Sequence, residues 1–379
     1  MNGKNGATLA LVNIMREMKN RGHEIAVICQ CKGGYLYDEA LAMDIKVYYD
    51  YLYPYALLYP SEKLSFPNKI HWFCKELKTI LLSHRMVYRV IRDFKPDIVH
   101  TNSSVIDYAL SGCVLTRTQH VWHVREYIDK DFNMRIFPSM SFLRWKMRLP
   151  LNHNVAITKG VFNHFRLRRN TDLVIYDGVI SNTSSSTTNN KVDDKQYKYF
   201  LYVGTLCDGK GVDKLIEQFG AFCSEHPNIH LLLACRINEE SKYYQDCLSL
   251  SKKHQNNIHF LGFRTDVYNL MSGALALIVP SKFEGFGFVT AEAMYNNTIV
   301  IGRNTGGTKE QFDNGLEQIG TEIGLRFDKD EDLVPLMEKV LNEDFSDMKR
   351  NARKVIVDNY TVKSNADQLY KYYCKILER

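Results

Sequence analysis

The stretch YFLYVGTLCDGKGVDKLIEQF, residues 199–219, decides how this chain folds. It opens with a β-rich apolar run, closes with apolar residues at helical spacing, and is punctuated by glycines between the two. Strand, glycine-bearing loop and helix in that order are the repeating half of an open parallel sheet. The spacing from Gly204 to Gly209 and Lys210 is that of a phosphate-binding P-loop. Gly211, however, stands where such a loop needs a Ser or Thr hydroxyl for magnesium, and no convincing partner acid follows. A P-loop hydrolase is a poor reading. What survives is a lysine at the exit of a parallel strand, beside glycines that let a ligand approach. Lys210 either neutralises a diphosphate there or is a solvated loop lysine.

Outward from this stretch the same alternation fills the chain. HEIAVICQ, IKVYYD, DIVHTN, HVWHVRE, NVAITK and LVIYDG read as strands before it, and HLLLACR, IHFLGF, ALALIVPS and TIVIGR after it. Helical patterns such as ATLALVNIMREMKNRG, IDYALSGCVLTRT and FVTAEAMYNN fall between them. The pattern predicts two α/β halves with parallel sheets covered by helices on both faces. The run SNTSSSTTNNKVDDKQ, residues 181–196, has one apolar residue and cannot contribute to a core, so it reads as a linker. The expected domains are therefore 1–180 and 197–358. A C-terminal helix at 359–379, apolar along Leu369, Tyr372, Tyr373 and Ile376, is expected to pack back on the first domain. One feature breaks the pattern. A doubly wound domain opens with an apolar strand whose exit loop carries glycines into the first helix. Here the sequence starts in the loop, NGKNGA, so the expectation is either a truncated domain with a gap in the first sheet or another segment in that strand's place.

Composition narrows the function. Of the 379 residues 45% are hydrophobic and 24% charged, as in globular proteins, and no stretch approaches a membrane span. The N-terminus lacks the charge, apolar core and cleavage site of a signal peptide. Nine cysteines without metal spacing read as reduced thiols of a cytoplasmic protein. The net charge of +6 is spread out, and no basic-aromatic module argues for nucleic acid. No strand is followed by GxGxxG with a spaced acid, which disfavours a nicotinamide-linked oxidoreductase. Residues 135–150, RIFPSMSFLRWKMRLP, mix Arg135, Arg144, Lys146 and Arg148 with Phe137, Phe142, Leu143 and Trp145. That suits either anionic lipid headgroups or a helix docked on its own domain. The Tyr-rich stretch 50–73 suits sugar rings, a core or a membrane interface equally.

A second motif, PSKFEGFGFVTAEAM at 280–294, follows the strand ALALIV. Glu284 lies in a turn with Gly285 and Gly287, and Glu292 lies in the helix that begins near Phe288. Such a turn offers backbone N–H groups to phosphate oxygens, and a carboxylate further along can accept from the vicinal hydroxyls of a ribose. RNTGGTKEQF and FRTDV, with Thr305 and Arg264, lie at two more strand exits. Convergence of these loops predicts an anionic, polyhydroxylated ligand, most simply a nucleoside diphosphate.

With these motifs in order, the chain resembles a retaining GT-B glycosyltransferase of family 4. EGFGFVTAE matches the family's Glu-x7-Glu element, supported by VGTLCDGKGVDKLIEQF, FLGFRTDVYNLMSGALALIVPS, NTGGTKEQF and, in the first half, NGKNGA, HVREY and VIYDGV. The resemblance implies two Rossmann-like doubly wound domains facing a cleft. It implies a hexosyl transfer from a nucleotide-diphosphate sugar to an acceptor hydroxyl with retained configuration and no metal cofactor. Lys210 would stabilise the leaving diphosphate with the amides of Gly285, Phe286, Gly287, Phe288 and Val289 and the loop around Gly6. Glu292 would hold the ribose, Glu284 and His123 the donor sugar, and Arg264 would border the base. Thr205 stands where the family usually carries Arg, and Asp177 where it commonly carries Asn. The Tyr-rich stretch 50–73 and the basic segment 135–150 together suit a glycan or lipid-linked glycan acceptor, as in bacterial surface polysaccharide assembly at the inner face of the membrane, with a soluble sugar acceptor as the alternative. The second reading is a protein of this fold that binds a nucleotide sugar or a partner without turnover.

Overall fold

Apolar strand sequences and one-sided helices alternate as expected, and a computed structural model turns them into two compact units. It describes residues 5–49, 58–60, 66–131, 133–181 and 197–378. Most of the proposed linker, residues 182–196, lies outside the described residues, as do residues 1–4, 50–57 and 61–65 of the N-terminal loop and the Tyr-rich stretch.

One unit comprises residues 1–178 with 362–379. It runs α1 (Gly6–Asn20), β1 (Ala26–Cys29), α2 (Tyr35–Ala42), β2 (Lys46–Tyr49), β3 (Leu58–Pro60), α3 (Phe66–Phe94), β4 (Ile98–Thr101) and α4 (Tyr108–Thr116). It continues with β5 (Gln119–Val124), β6 (Met134–Ile136), α5 (Met140–Lys146), β7 (Asn152–Ala156), α6 (Lys159–Phe165) and β8 (Leu173–Val174). The second unit, residues 179–361, runs β9 (Lys198–Thr205), α7 (Val212–Glu225), β10 (Ile229–Arg236), α8 (Lys242–Ser251), β11 (Ile258–Phe260) and α9 (Val267–Gly273). It is completed by β12 (Ala276–Val279), α10 (Phe288–Tyr295), β13 (Ile299–Arg303), α11 (Gly306–Ile319), β14 (Leu325–Phe327), α12 (Leu333–Asn342) and α13 (Ser346–Asn359).

The second unit has one six-stranded parallel sheet in the order β11-β10-β9-β12-β13-β14. Its strands are buried on both faces, as continuous apolar runs such as HLLLACR require. Phe200, Leu215, Phe219, Leu231, Leu233, Ile278 and Ile301 form its core. The chain crosses between units twice, at 178/179 and 361/362, and the two crossings meet in the second unit. There the Val179 amide donates to the Tyr360 carbonyl at 2.8 Å, and Ile180 bridges Thr361.

The first unit departs from a single doubly wound sheet. β1 pairs in parallel with β2, and β4-β5-β7-β8 form a separate parallel ladder. Among the described residues no ladder bond joins the two, in keeping with the gap expected in the first sheet. β3 and β6 add a short antiparallel ladder, which no alternation announces because each strand is three residues long. After the second unit, α14 (Val362–Leu377) returns to the first. Its Ala366, Leu369, Tyr372 and Ile376 pack on Ile14 and Met18 of α1 and on Val121, Val155 and Ile175. The Tyr372 hydroxyl donates to the Thr171 carbonyl at 2.6 Å, and Asn365 to that of Tyr176 at 2.7 Å. All nine cysteines are free thiols. No described helix is long and apolar enough to cross a membrane.

Candidate functional site

In the second sheet β9 and β12 are neighbours whose onward connections run to opposite sides, so the crevice beyond their carboxyl ends is the switch point where open sheets bind ligands. Lys210 leaves β9 through a single turn, Asp208–Lys210, that ends in Gly211 with φ of 63°. A Cβ at 211 would lie 2.6 Å from the Pro280 carbonyl oxygen. Gly211 therefore replaces the P-loop hydroxyl for a reason of packing: it lets the β9 loop lie against the β12 loop. The Lys282 amide donates to the Gly209 carbonyl at 2.9 Å, and its ammonium pairs with Asp208 at 2.8 Å. That ion pair is exposed and contributes little by itself.

This docking brings the two main candidates together. Lys210 Nζ lies 2.6 Å from Glu284 Oε1, and Ser281 Oγ donates to the same oxygen at 2.6 Å. The Glu284 side chain is 15% exposed and that of Lys210 28%, so the pair is shielded yet reachable. Burial, and then the charge of Glu284, push the Tyr202 phenol well above its ordinary value. Neutral Tyr202 donates to the Thr205 carbonyl at 3.0 Å and holds the end of β9.

The turn after Glu284 is fixed from behind by α11. The Gly307 amide donates to the Glu284 carbonyl at 2.8 Å, and a Cβ on Gly307 would fall 2.1 Å from the Phe286 carbonyl oxygen. Buried Gln311 donates to the carbonyls of Phe286 at 2.7 Å and Gly287 at 3.0 Å. With its carbonyls held this way, the turn enters α10 at Gly287, whose φ of 86° suits only glycine without strain. The amides of Phe288 and Val289 then stand at the positive end of a helix. Glu292, on α10, accepts from the Tyr268 hydroxyl at 3.3 Å. Burial and then Glu292 raise the Tyr268 phenol, which keeps it a donor. Arg264 forms two hydrogen bonds to Asp266, at 2.8 and 2.6 Å. Thr205 is exposed at the end of β9, opposite Arg236 in register.

Lys210, Glu284, Glu292, Thr205, Arg264 and the 285–289 turn all belong to the second unit; Gly6 and His123 belong to the first. Gly6 is the first residue of α1, whose Asn5 cap accepts from the Thr8 amide at 2.9 Å. His123 is wholly buried in β5. Its Nδ1 lies 3.3 Å from His100 Nε2, and His100 Nδ1 lies 2.5 Å from the Tyr373 hydroxyl. Burial and then the Arg125 guanidinium lower both imidazoles, His100 to about 3, so both are neutral. His123 Nε2 is buried without a hydrogen-bond partner among the described residues. Asp177 is buried against Arg125, which also reaches Asn102 at 3.2 Å. The spacing of the loops gave no sign of Ser281, Gln311 or Tyr268. Ser281 lies within the quoted motif, and a donor beside a buried carboxylate is the signal that could have found it.

Within the basic-aromatic segment, a short helix docks on its own unit. Leu143 and Met147 are buried in their own unit, whereas Trp145 is 55% exposed, stacked on Phe142 with ring centroids 5.4 Å apart.

Comparison with known proteins matches residues 4–180 to the model of Glycosyltransferase Family 4 and residues 185–355 to that of Glycosyl transferases group 1. An uncharacterized glycosyltransferase of Methanocaldococcus jannaschii is 22% identical over 254 residues, 62% of this chain and 61% of that protein. The capsular polysaccharide biosynthesis glycosyltransferase CapM of Staphylococcus aureus is 24% identical over 201 residues, 50% of this chain and 51% of that protein. The matched segments thus span less than two thirds of either relative. Among solved structures, Anabaena Alr3699/HepE in complex with UDP and glucose superposes with a TM-score of 0.73 at 16% identity, covering 98% of this chain and 96% of that one, a likeness of fold. With the two family models following one another across nearly its whole length, the chain belongs to the GT-B glycosyltransferases of family 4, the glycosyl transferases group 1.

Proposed function

We propose that the protein transfers a hexosyl group from a nucleotide-diphosphate sugar to an acceptor hydroxyl, with retention of configuration. The observation that carries this reading is the Lys210–Glu284 pair at the switch point of a parallel sheet, with Glu292 on the helix that follows. In the free protein Lys210 is neutralised by Glu284. A diphosphate entering the crevice competes for that lysine and releases the carboxylate toward hydroxyls of the donor sugar. The amides of Phe288 and Val289 add positive potential, so charge developing on the leaving diphosphate meets prearranged donors. Glu292 takes the ribose hydroxyls, and Arg264 borders the base. For Gly6 and His123, in the first unit, the roles toward the diphosphate and the sugar are those that the family resemblance implies. The leaving diphosphate accepts the acceptor's proton on the face it departs from, which supports retention without a covalent intermediate. Lys210 and the helix amides supply the charge that a divalent ion would otherwise bring, and the reaction is read as independent of metal and cofactor.

The Anabaena structure contains UDP and glucose, which makes UDP-sugars the first donors to try. The name of the S. aureus relative points the acceptor toward surface polysaccharide or a lipid-linked glycan precursor. The first unit carries 29 Lys and Arg against 18 Asp and Glu, the second 20 against 25. That asymmetry, with exposed Trp145, favours contact of the first unit with the anionic inner face of a membrane, from the cytoplasmic side. Thr205, where a second cation would help hold the diphosphate, favours the alternative of binding without turnover.

Thermal denaturation against a panel of nucleoside diphosphates and nucleotide sugars tests the reading. A donor at 100 times its Kd adds about 2.7 kcal/mol, and the shift is lost in Glu292→Ala. Silence from a folded protein across the panel overturns the donor assignment. Binding without transfer to any glycan acceptor leaves the non-catalytic reading standing. If transfer occurs, the anomeric configuration of the product, read by NMR, decides retention.

A further inference from the structure

Arg236 stands apart from its neighbouring cations at the carboxyl ends of the second sheet's strands. Lys210 pairs with Glu284, Lys282 with Asp208, Arg264 with Asp266 and Arg303 with Asp330. Arg236, the last residue of β10, has no carboxylate partner among the described residues. Its guanidinium lies over the ring of Phe263, 5.5 Å from the centroid, and that ring is itself 63% exposed. An exposed cation–π contact of this kind is weak, and a phosphate that accepts charge-assisted hydrogen bonds displaces it.

The position of Arg236 matters as much as its charge. The β9–β10 ladder runs from Lys198 opposite Ile229 to Thr205 opposite Arg236. The Leu206 amide extends it, donating to the Arg236 carbonyl at 3.2 Å. Residues opposite one another in a ladder point to the same face of the sheet. Arg236 therefore rises beside Thr205, on the strand next to the one that feeds Lys210 into the crevice. Both residues are exposed, so nothing packed stands over them. Neighbouring strands lie about 4.8 Å apart, less than the length of an arginine side chain.

We propose that Arg236 supplies the second cation of the diphosphate site, in place of the guanidinium that Thr205 does not provide. The inference rests on the nucleotide-sugar reading of the crevice and deepens it. Lys210 is a single charge shared with Glu284, whereas a diphosphate brings more than one negative charge. The guanidinium exchanges Phe263 for diphosphate oxygens, which its planar fork takes in pairs. The charge missing from β9 is thereby restored from β10, one strand away, and a threonine at 205 is no obstacle to turnover.

Titration calorimetry with UDP and with uridine tests it, with GDP, ADP and CDP and their nucleosides taking their place should UDP not bind. Arg236→Ala weakens the diphosphate at least about tenfold and the nucleoside less than about twofold. The circular dichroism spectrum stays unchanged, because the residue is exposed. Adding Thr205→Arg to that variant restores diphosphate binding to within about threefold of the starting protein. Equal diphosphate affinity in Arg236→Ala and the starting protein overturns the proposal. Equal losses for diphosphate and nucleoside also overturn it, and move Arg236 and Phe263 to the base. A loss that Thr205→Arg does not repair means that Arg236 does not stand in for residue 205, and the proposal falls. Where Thr205→Arg alone disturbs binding, Arg236→Lys decides: it keeps the charge, and a loss as large as that of alanine overturns the proposal. A folded protein that binds no nucleoside diphosphate fails one step earlier, at the nucleotide reading itself, and takes this inference with it.

Discussion

At the residue scale the candidate site is a set of mutually satisfied groups waiting for a competitor. Lys210, Glu284 and Ser281 share one carboxylate oxygen, and the carbonyls of the following turn are held by Gln311. Lys210→Ala is expected to lower transfer at least about a hundredfold, the scale on which an electrostatic donor acts, while the protein remains folded by circular dichroism. A loss under tenfold would remove Lys210 from its assigned role. Gln311→Ala removes the side-chain donor that the Phe286 and Gly287 carbonyls share, the latter keeping the Thr290 and Ala291 amides, and should cost about 1 kcal/mol in urea denaturation, with weaker donor binding as the turn relaxes. Unchanged stability would mean that the turn holds itself. The chemistry-bearing residues were legible in the sequence because Lys, Gly-x-Gly and paired Glu have distinctive spacings at strand exits. Gln311 and Tyr268 were not: their roles depend on where a backbone carbonyl and a neighbouring carboxylate come to rest, and no local pattern encodes that.

At the scale of elements, β-rich apolar runs gave five of the six strands of the second unit's sheet; the sixth, β14, has three residues, Leu325–Phe327, too few to show a period. The break between β1 and β4 was legible as a gap in the first sheet, but the β3–β6 ladder was not, for the same reason of length. The apolar side of α14 was legible from helical spacing and its packing on the first unit was expected; its individual partners in β5, β7 and α1 were not legible, since they lie far away in sequence. Leu369→Ala, at a site with no exposure, is expected to cost about 2–5 kcal/mol in the first unit. Exchange in β5 and β7 should report the loss, while nucleotide binding in the second unit persists. A uniform loss in both units would mean that they unfold as one.

At the scale of the whole molecule the buried histidines set the acid limit. Burial holds His100 down to about 3, with Arg125 adding to it, and His120 to about 4. Unfolded histidines take up protons near pH 6.5, so these two contribute stability that is fully present above 6.5 and is lost as the pH falls toward 4 and 3. The slope is about 1.4 kcal/mol per pH unit for each, so the first unit should lose about 4 kcal/mol between pH 7.5 and 5. Urea midpoints at the two values measure it, and a flat profile would mean that the imidazoles are solvated. The return of α14 has a consequence for synthesis. Chains usually complete their domains in the order in which they leave the ribosome. Here residues 179–361 are all available before Ala366, Leu369, Tyr372 and Ile376 have been translated. The unit that starts first therefore finishes second, its nascent core lacking the α14 face while the later unit closes.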